Sequence, residues 1–298
     1  MNPADFRRLH DVAMDAATAA GRCIAGYAGE NVTVMQKDGG DTLTSKVVTD
    51  ADYASQQCIL QKLRPSIERY DLGLLAEESE DDATRFEKAH FWCIDPLDGT
   101  RCFAEGRDGY AVSIALVSRT GTSYVGVVHD PVSGTTWSAV RGEGLFRNGE
   151  VWNRTQADSG ASDFRVYTDR HFQPDGRYAA VIKRLQAAAI EAGYLPPELI
   201  PSGGAVLNAC MVLENPPAAY FKLPKAAKGG GSLWDYAATA VLFHEAGAIA
   251  SDIHGHPLNL NQHDSTFMNV EGILYASSAK IAAMVRACAE AEIEGAAF

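Results

Sequence analysis

The sequence lacks several features that would assign it to a common functional class. Its six cysteines contain no C-x-x-C pair, which argues against a zinc knuckle or a dithiol redox motif. No uninterrupted apolar run is long enough to cross a bilayer, so we expect no membrane association. The N-terminus has Asp5, Arg7 and Arg8 but no apolar core, unlike a secretory signal, and we therefore expect a cytoplasmic location.

Positive charge is also scarce. The chain has 26 Lys and Arg residues against 38 Asp and Glu residues, which gives a formal net charge of −12. Nucleic-acid-binding surfaces are usually basic, so we expect no general nucleic-acid binding. A small anionic substrate is still compatible with this charge, because bound metal ions can reverse the local field around acidic residues.

The pattern of apolar and turn residues predicts two halves within the 298 residues. Residues 3–28 have helical spacing, as do those that follow Thr49, and short β-rich runs at Ala111–Ser118, Ser123–His129 and 135–140 favour an antiparallel sheet. After a polar passage at 154–163, helices and strands alternate, as in α/β proteins. We therefore predict an N-terminal half over residues 1–153 and a C-terminal half over 154–298.

The most informative stretch is an apolar run that ends in Asp95-Pro96-Leu97-Asp98-Gly99-Thr100. The run reads as a buried strand, and the turn after it would bring Asp95 and Asp98 close together. Two adjacent carboxylates repel each other unless a proton or a cation relieves them. With no His or Cys beside them that would act as a ligand, oxygen ligands suit a hard cation such as Mg²⁺. An ordinary Asp-Gly turn between strands is the alternative interpretation.

Other acidic residues lie at similar positions along the chain. Asp52 lies in the first turn of a predicted helix, Glu77 follows a short apolar strand, and Asp235 is in the first turn of another helix. Strand ends and helix starts converge on a common crevice in sheet proteins. Helix capping and solvated surface charge are the alternatives for these residues. Together with the aspartate pair, they could hold two or three Mg²⁺ ions, which would activate a water and stabilise charge on a phosphoryl group.

These motifs resemble those of the inositol monophosphatase family of Mg²⁺-dependent, lithium-sensitive phosphatases. The matching segments are Glu77-Glu78-Ser79, the turn from Asp95 to Thr100, and Trp234-Asp235-Tyr236-Ala237-Ala238, with Val48-Thr49-Asp50-Ala51-Asp52 upstream. The resemblance runs from about residue 45 to 260. It implies a layered α/β/α/β/α sandwich and a homodimer.

The resemblance also implies a set of metal ligands. Glu77, Asp95 and the backbone carbonyl of Leu97 would bind the first metal ion. Asp95, Asp98 and Asp235 would bind the second, and Glu77 would help to hold a third.

For catalysis, the resemblance implies that Thr100, supported by Asp52, orients the attacking water, with Glu77 as the proton acceptor. The backbone N–H groups of Gly99 and Thr100 would face the phosphate, and Asp98 and Asp235 would also border the substrate.

The substrate is less clearly indicated. Inositol monophosphatases usually have a Glu seven residues before the Trp-Asp aspartate, and the same count from Asp235 gives Lys228. A cation there suits a second anionic group, and the small residues of 229–232 also resemble the nucleotidases, so we favour a 3'(2'),5'-bisphosphate nucleotidase. Arg101 and Cys102 fit neither group cleanly. Inositol 1-phosphate and a sugar bisphosphate are the alternative substrates, Lys228 could be ordinary loop charge, and a catalytically dead binding protein is the alternative from another class.

Overall fold

The computed structural model describes residues 1–28, 34–36, 47–153 and 163–294. Two layers of strands alternate with helices in this part of the chain. The predicted linker falls mostly on residues 154–162, outside the described residues, and Lys46, just before the Val-Val-Thr-Asp motif, also lies outside them.

The larger sheet belongs to the N-terminal half. Its strand order is β3 (Gly73–Ala76), β4 (His90–Asp98), β5 (Ala111–Ser118), β6 (Ser123–His129), β7 (Thr136–Val140), β8 (Gly144–Arg147) and β9 (Glu150–Val151). The predicted antiparallel arrangement holds from β4 to β9, whereas β3 and β4 are parallel. A separate ribbon pairs β1 (Val34–Gln36) with β2 (Val47–Thr49).

The smaller sheet belongs to the C-terminal half. Its order is β11 (Glu198–Pro201), β10 (Arg165–Thr168), β12 (Ala218–Lys222), β14 (Ile273–Ala276) and β13 (Ile249–Ser251). Strands β11, β10 and β12 are parallel, and β14 is antiparallel to both its neighbours.

Helices cover both sheets and fill the space between them. The outer face of the larger sheet packs against α1 (Pro3–Tyr27) and α2 (Asp50–Tyr70), and that of the smaller sheet against α5 (Gly176–Glu191) and α8 (Ala279–Glu294). Between the sheets lie α6 (Ala205–Glu214) and α7 (Leu233–Glu245), whose apolar residues form one cluster with both. The short helices α3 (Thr84–Glu87) and α4 (Thr100–Ala104) flank β4. This order of layers confirms the predicted α/β/α/β/α sandwich.

Buried apolar faces explain the central helices. Helix α7 begins after Ser232, which forms a capping box with Asp235, and it buries Ala237, Val241 and Phe243. Because a central helix packs against a sheet on each side, apolar residues surround it almost completely. Its N-terminus faces the same edge of the molecule as the end of β4.

Candidate active site

The turn at the end of β4 has the constrained geometry that its sequence predicts. The pairing with β5 shifts register between Asp95 and Asp98, and the Asp95 carboxylate accepts the Leu97 N–H at 3.0 Å. Gly99, which precedes α4, has φ +84°, a conformation that other residues rarely adopt. Asp95 and Asp98 are only 1% and 6% exposed.

Asp98 also contacts the C-terminal half. Its two carboxylate oxygens accept the N–H groups of Ala205 at 3.2 Å and of Val206 at 2.8 Å, at the N-terminus of α6. A helix N-terminus carries partial positive charge and unpaired N–H groups, so it stabilises a carboxylate there. Asp98 therefore links the end of β4 to the layer between the sheets.

Asp235 completes an acidic cluster. It lies in the first turn of α7 and accepts the Ser232 N–H in the capping box. One oxygen from each of Asp95, Asp98 and Asp235 lies within 4.8 Å of the others. Residues that are far apart in the sequence are thus brought together, as the motifs predicted.

The protein environment strongly disfavours the ionised forms of these carboxylates. Burial, and then the charges of Glu77, Asp235 and Asp98, raise the pKa of Asp95 well above its usual value. Burial and the charge of Asp235 raise the pKa of Asp98 in the same way, and burial and Glu77 raise that of Asp235 to about 6. A bound cation would remove this repulsion. An all-oxygen donor set of this kind fits a hard divalent ion.

Thr100 is held beside this cluster by two acceptors. Its hydroxyl lies 2.9 Å from an Asp52 carboxylate oxygen and 3.0 Å from the Leu97 carbonyl oxygen. The other Asp52 oxygen accepts the Thr49 N–H at 2.8 Å and the Thr49 hydroxyl at 2.6 Å. Because the single Thr100 proton is directed to these acceptors, the lone pairs of its oxygen are left to accept a hydrogen bond.

Asp52 itself is fully buried. Burial raises its pKa to about 6, although the hydrogen bonds from Thr49 lower the value and the charge of Glu77 raises it further. Its role in a capping box shows that the helix-capping interpretation is also correct. Capping and contact with Thr100 use different oxygens of the same carboxylate.

Glu77 follows β3 and borders the same cleft. Its N–H donates to the Ile94 carbonyl at 3.1 Å, which extends the pairing of β3 with β4 by one residue. The side chain of Glu77 lies close enough to Asp95 that its charge raises the pKa of that carboxyl. It is therefore part of the acidic group and not isolated surface charge.

A cleft of about 590 Å³ opens above the carboxylates. Most of the predicted site residues line it: Glu77, Asp95, Leu97, Asp98, Gly99, Thr100 and Asp235. Asp52 lies behind Thr100 and is not part of the lining. Arg101 and Cys102, whose role the sequence left open, also border the cleft.

Lys228 does not border the cleft. It is exposed, on the loop between β12 and α7, and it is absent from the residues that line the cavity. The geometry therefore gives no support to the prediction that Lys228 binds substrate.

A different lysine, which was not predicted from the sequence, borders the cleft. Lys222 is the last residue of β12, and its side chain is only 18% exposed. Its ammonium group lies 2.7 Å from Asp169 and donates to the Gly230 carbonyl. Burial alone would lower the pKa of Lys222, but Asp169 raises it, so the group stays charged. Its position at a strand end was the signal available in the sequence.

Two further residues of the cleft also escaped sequence analysis. Arg170 follows Asp169, and its buried Nε has no hydrogen-bond partner among the described residues. The Lys225 Nζ lies 3.0 Å from the position that a Cβ on Gly230 would occupy. Together with Lys222, these residues give the acidic cleft a positively charged wall.

Comparisons with known proteins identify the family. Residues 5–291 match the model of the inositol monophosphatase family. The chain belongs to this family. Because that match covers almost the whole chain, it applies to both predicted halves.

The relatives of this chain are named for different functions. The chain is 33% identical over 256 residues to the 3'-phosphoadenosine 5'-phosphate phosphatase of Mycobacterium leprae, covering 84% of this chain and 85% of the relative. It is 30% identical over 252 residues to Nus factor SuhB of Haemophilus influenzae, covering 85% and 86%. Relatives in this family are named phosphatases, and this chain is a phosphoric monoester hydrolase.

A solved structure supports the fold. The SuhB protein of Bartonella henselae superposes with a TM-score of 0.71 at 25% identity, over 95% of this chain and 98% of that one. Among the described residues, no helix has both the length and the apolar character needed to span a bilayer.

Proposed function

We propose that the protein is a Mg²⁺-dependent phosphomonoesterase that hydrolyses a small soluble phosphate ester with a metal-activated water. The observation that carries this proposal is the buried group Asp95, Asp98 and Asp235, whose oxygens lie within 4.8 Å of one another beneath an open cleft. Without a cation, three carboxylates in this environment repel each other strongly.

The metal ligands would be Glu77, Asp95, the Leu97 carbonyl, Asp98 and Asp235, holding two or three Mg²⁺ ions. When bound, Mg²⁺ supplies a water of lowered pKa and stabilises negative charge on the phosphoryl group and the leaving oxygen. Lithium sensitivity is a further prediction from the family.

The protein's own groups orient the attacking water. Asp52 and the Leu97 carbonyl oxygen fix the Thr100 hydroxyl, so its oxygen can accept a hydrogen bond from a water at the mouth of the cleft. Glu77 lies beside Asp95 and would accept the proton that this water loses. Gly99 and Thr100 line the cleft, and their N–H groups would face the phosphate.

The charge pattern of the cleft favours a substrate with a second anionic group. Lys222, which is paired with Asp169, and Arg170 line the wall outside the carboxylates, where they would lie close to a second anionic group of a bound substrate. A 3'(2'),5'-bisphosphate nucleotide is the substrate we favour, and the relative from Mycobacterium leprae bears the name of such an activity. Inositol 1-phosphate and fructose 1,6-bisphosphate are the competing substrates.

A panel of phosphate esters tests the activity. We expect phosphate release from adenosine 3',5'-bisphosphate at fixed Mg²⁺ to exceed release from inositol 1-phosphate and fructose 1,6-bisphosphate. The reaction should stop in excess chelator or with Ca²⁺, which prefers longer bonds and more ligands than Mg²⁺. Full activity in chelator would refute the metal mechanism, and no hydrolysis of any ester would favour the binding-protein alternative.

Separate substitutions of Lys222 and Lys228 test which substrate the enzyme prefers. Lys222→Met should lower kcat/KM for adenosine 3',5'-bisphosphate about ten- to hundredfold, the scale of a lost charge-assisted contact. Its effect on inositol 1-phosphate should be smaller and limited to what the substitution does to Asp98 and Asp235, whose pKa values the Lys222 charge lowers. Lys228→Met is the matched control and should change neither substrate. A large, selective effect of Lys228→Met would restore the original prediction and contradict the assignment of Lys222.

Three predictions about partners and place accompany this proposal. We expect a homodimer, a cytoplasmic location and no nucleic-acid binding. The name Nus factor belongs to the relative from Haemophilus influenzae. A binding assay with single-stranded RNA at physiological salt would test the last prediction, and light scattering at micromolar concentration the first.

A further inference from the structure

One face of α2 contacts three separate parts of the active site. Asp52, Ser55 and Gln56 are spaced i, i+3 and i+4, so they lie on the same side of the helix. Each is at most 1% exposed. Asp52 contacts Thr100, as described above, whereas Ser55 and Gln56 contact residues on either side of the metal ligands.

Gln56 holds the loop that carries Glu77. Its Oε1 accepts the Glu78 N–H at 3.0 Å, and its Nε2 donates to the Ser79 hydroxyl at 2.7 Å. The N–H of Glu77 is itself bound to the Ile94 carbonyl oxygen. The backbone is therefore fixed immediately before the Glu77 side chain by β4 and immediately after it by α2.

Ser55 holds the turn between the two aspartates. Its hydroxyl donates to the Pro96 carbonyl oxygen at 2.7 Å. Proline has no N–H, so the carbonyl is the only hydrogen-bonding group that the Pro96 backbone offers. Asp95 and Leu97, on either side of Pro96, both line the cleft.

We infer that Ser55 and Gln56 are positioning residues, which set the distance between Glu77 and the Asp95–Asp98 turn by tying both to one rigid helix. The inference rests on the proposed metal-dependent reaction. Ligand groups bind a small cation tightly only when they are held at the right separation, and loss of the partners that orient ligands typically costs 10–100-fold in metal affinity or activity. Ordinary stabilisation of buried polar groups would predict a loss of stability without a change in metal affinity.

The decisive experiment measures Mg²⁺ binding directly. Gln56→Met keeps the length of the side chain and removes both hydrogen-bonding groups. We expect isothermal titration calorimetry to show Mg²⁺ affinity at least tenfold weaker than in the wild type. The Mg²⁺ concentration for half-maximal hydrolysis should rise by a similar factor, while kcat at saturating Mg²⁺ changes less. Ser55→Ala should shift affinity in the same direction.

Ser66 provides the matched control on the same helix. It is 5% exposed, and its hydroxyl accepts the Trp92 indole N–H at 3.0 Å, away from the acidic cluster. Ser66→Ala should lower the melting temperature and leave Mg²⁺ affinity unchanged. If Ser66→Ala weakens Mg²⁺ binding as much as Gln56→Met does, the effect is general destabilisation and the inference is wrong.

Two further variants keep the test informative. Gln56→Glu retains an acceptor for the Glu78 N–H and should recover most of the affinity. Gln56→Asn is one methylene too short to reach the loop, and it replaces Gln56→Met if that variant does not fold. Wild-type affinity in Gln56→Met or Gln56→Asn would overturn the inference, whereas a wild-type protein that binds no Mg²⁺ would overturn the proposed function itself.

Discussion

Asp95 and Asp98 adjoin the same turn, yet their surroundings differ. Asp95 accepts one N–H from within its own turn, whereas Asp98 accepts two N–H groups from α6. The pKa of each is raised by burial and by neighbouring carboxylates. Removal of charge should therefore relieve repulsion at both positions, but only at Asp98 does it weaken the cap of a helix.

The first prediction compares Asn at these two positions. Either substitution should lower kcat about 100-fold or more, on the scale of removing a key electrostatic stabiliser. Asp95→Asn keeps the acceptor for Leu97, so its melting temperature in chelator should equal or exceed that of the wild type. Asp98→Asn retains one acceptor oxygen for two N–H groups and should melt below Asp95→Asn. Wild-type activity in either variant would contradict its assignment as a metal ligand.

The second prediction concerns the hydroxyl of Thr100. Thr100→Val keeps the shape and removes the group held by Asp52, so kcat should fall about 10²-fold, the scale of the loss when a reacting group is misplaced. Thr100→Ser keeps the hydroxyl and should retain activity within about tenfold. Steady-state kinetics at saturating Mg²⁺ provides the comparison. Equal losses in both variants would indicate that the methyl group, and not the hydroxyl, matters.

Local sequence predicted the acidic cluster better than it predicted the positively charged wall of the cleft. Residues of the Asp95–Thr100 turn are constrained by their immediate neighbours, so their positions follow from strand, proline and glycine. Lys228 was predicted by counting seven residues back from Asp235, which assumes that the loop before α7 has the same length as in inositol monophosphatases. In this chain, that loop comprises residues 223–232. The length of a surface loop is not fixed by local chemistry. Lys222 is identified only when the end of β12 is known.

At the scale of elements, burial decided which strands the sequence could predict. The limits of β5, β6 and β7 were predicted correctly or to within one residue, because each is a buried run between turn residues. Strands β8, β9 and β11 were missed. Residues of β9 and most of β11 are exposed at sheet edges, so no alternation of apolar and polar residues marks them.

The third prediction tests the contact between the larger sheet and α7. A Cβ on Gly126 of β6 would lie 2.3 Å from the Ala238 carbonyl oxygen, so the strand and the helix backbone touch at this point. Gly126→Ala should force them apart and cost about 1–3 kcal/mol of unfolding free energy. Gly26→Ala in α1 is the control, because outside its own helix backbone no heavy atom of the described residues lies within 4 Å of the added Cβ, and it should be neutral or stabilising by up to about 1 kcal/mol. Denaturant unfolding measures both.

At the scale of the whole molecule, the candidate site draws on both predicted halves. Glu77, Asp95, Asp98 and Thr100 come from the N-terminal half, and Asp235 and Lys222 come from the C-terminal half. Because α6 and α7 pack between the two sheets, neither half has a complete core without them. The division of the chain into two halves at residue 153 remains a prediction, and we expect the two halves to fold together.

The buried carboxylates of the candidate site also make the stability of the fold depend on pH. Asp52 and Asp235 have pKa values of about 6 in the folded protein, and burial raises the pKa values of Asp95 and Asp98 well above that of a free aspartate. Between about pH 4 and pH 6 the unfolded chain loses these protons while the folded protein keeps them. The contribution of Asp52 and Asp235 to stability is therefore present at low pH and is lost as the pH rises through 6. For Asp52 alone, a shift of roughly two units corresponds to about 3 kcal/mol.

The fourth prediction follows for metal-free and metal-bound protein. In chelator, the melting temperature should fall from pH 5 to pH 7.5, because Asp52 and Asp235 lose their protons in this range and become charged without a counter-ion. Added Mg²⁺ should raise the melting temperature strongly at pH 7.5 and weakly at pH 5, since the ligands bind metal only when they are deprotonated. Asp95→Asn should reduce both effects. Scanning calorimetry at the two pH values measures them, and a Mg²⁺ effect that is larger at pH 5 would contradict the raised pKa values of the ligands.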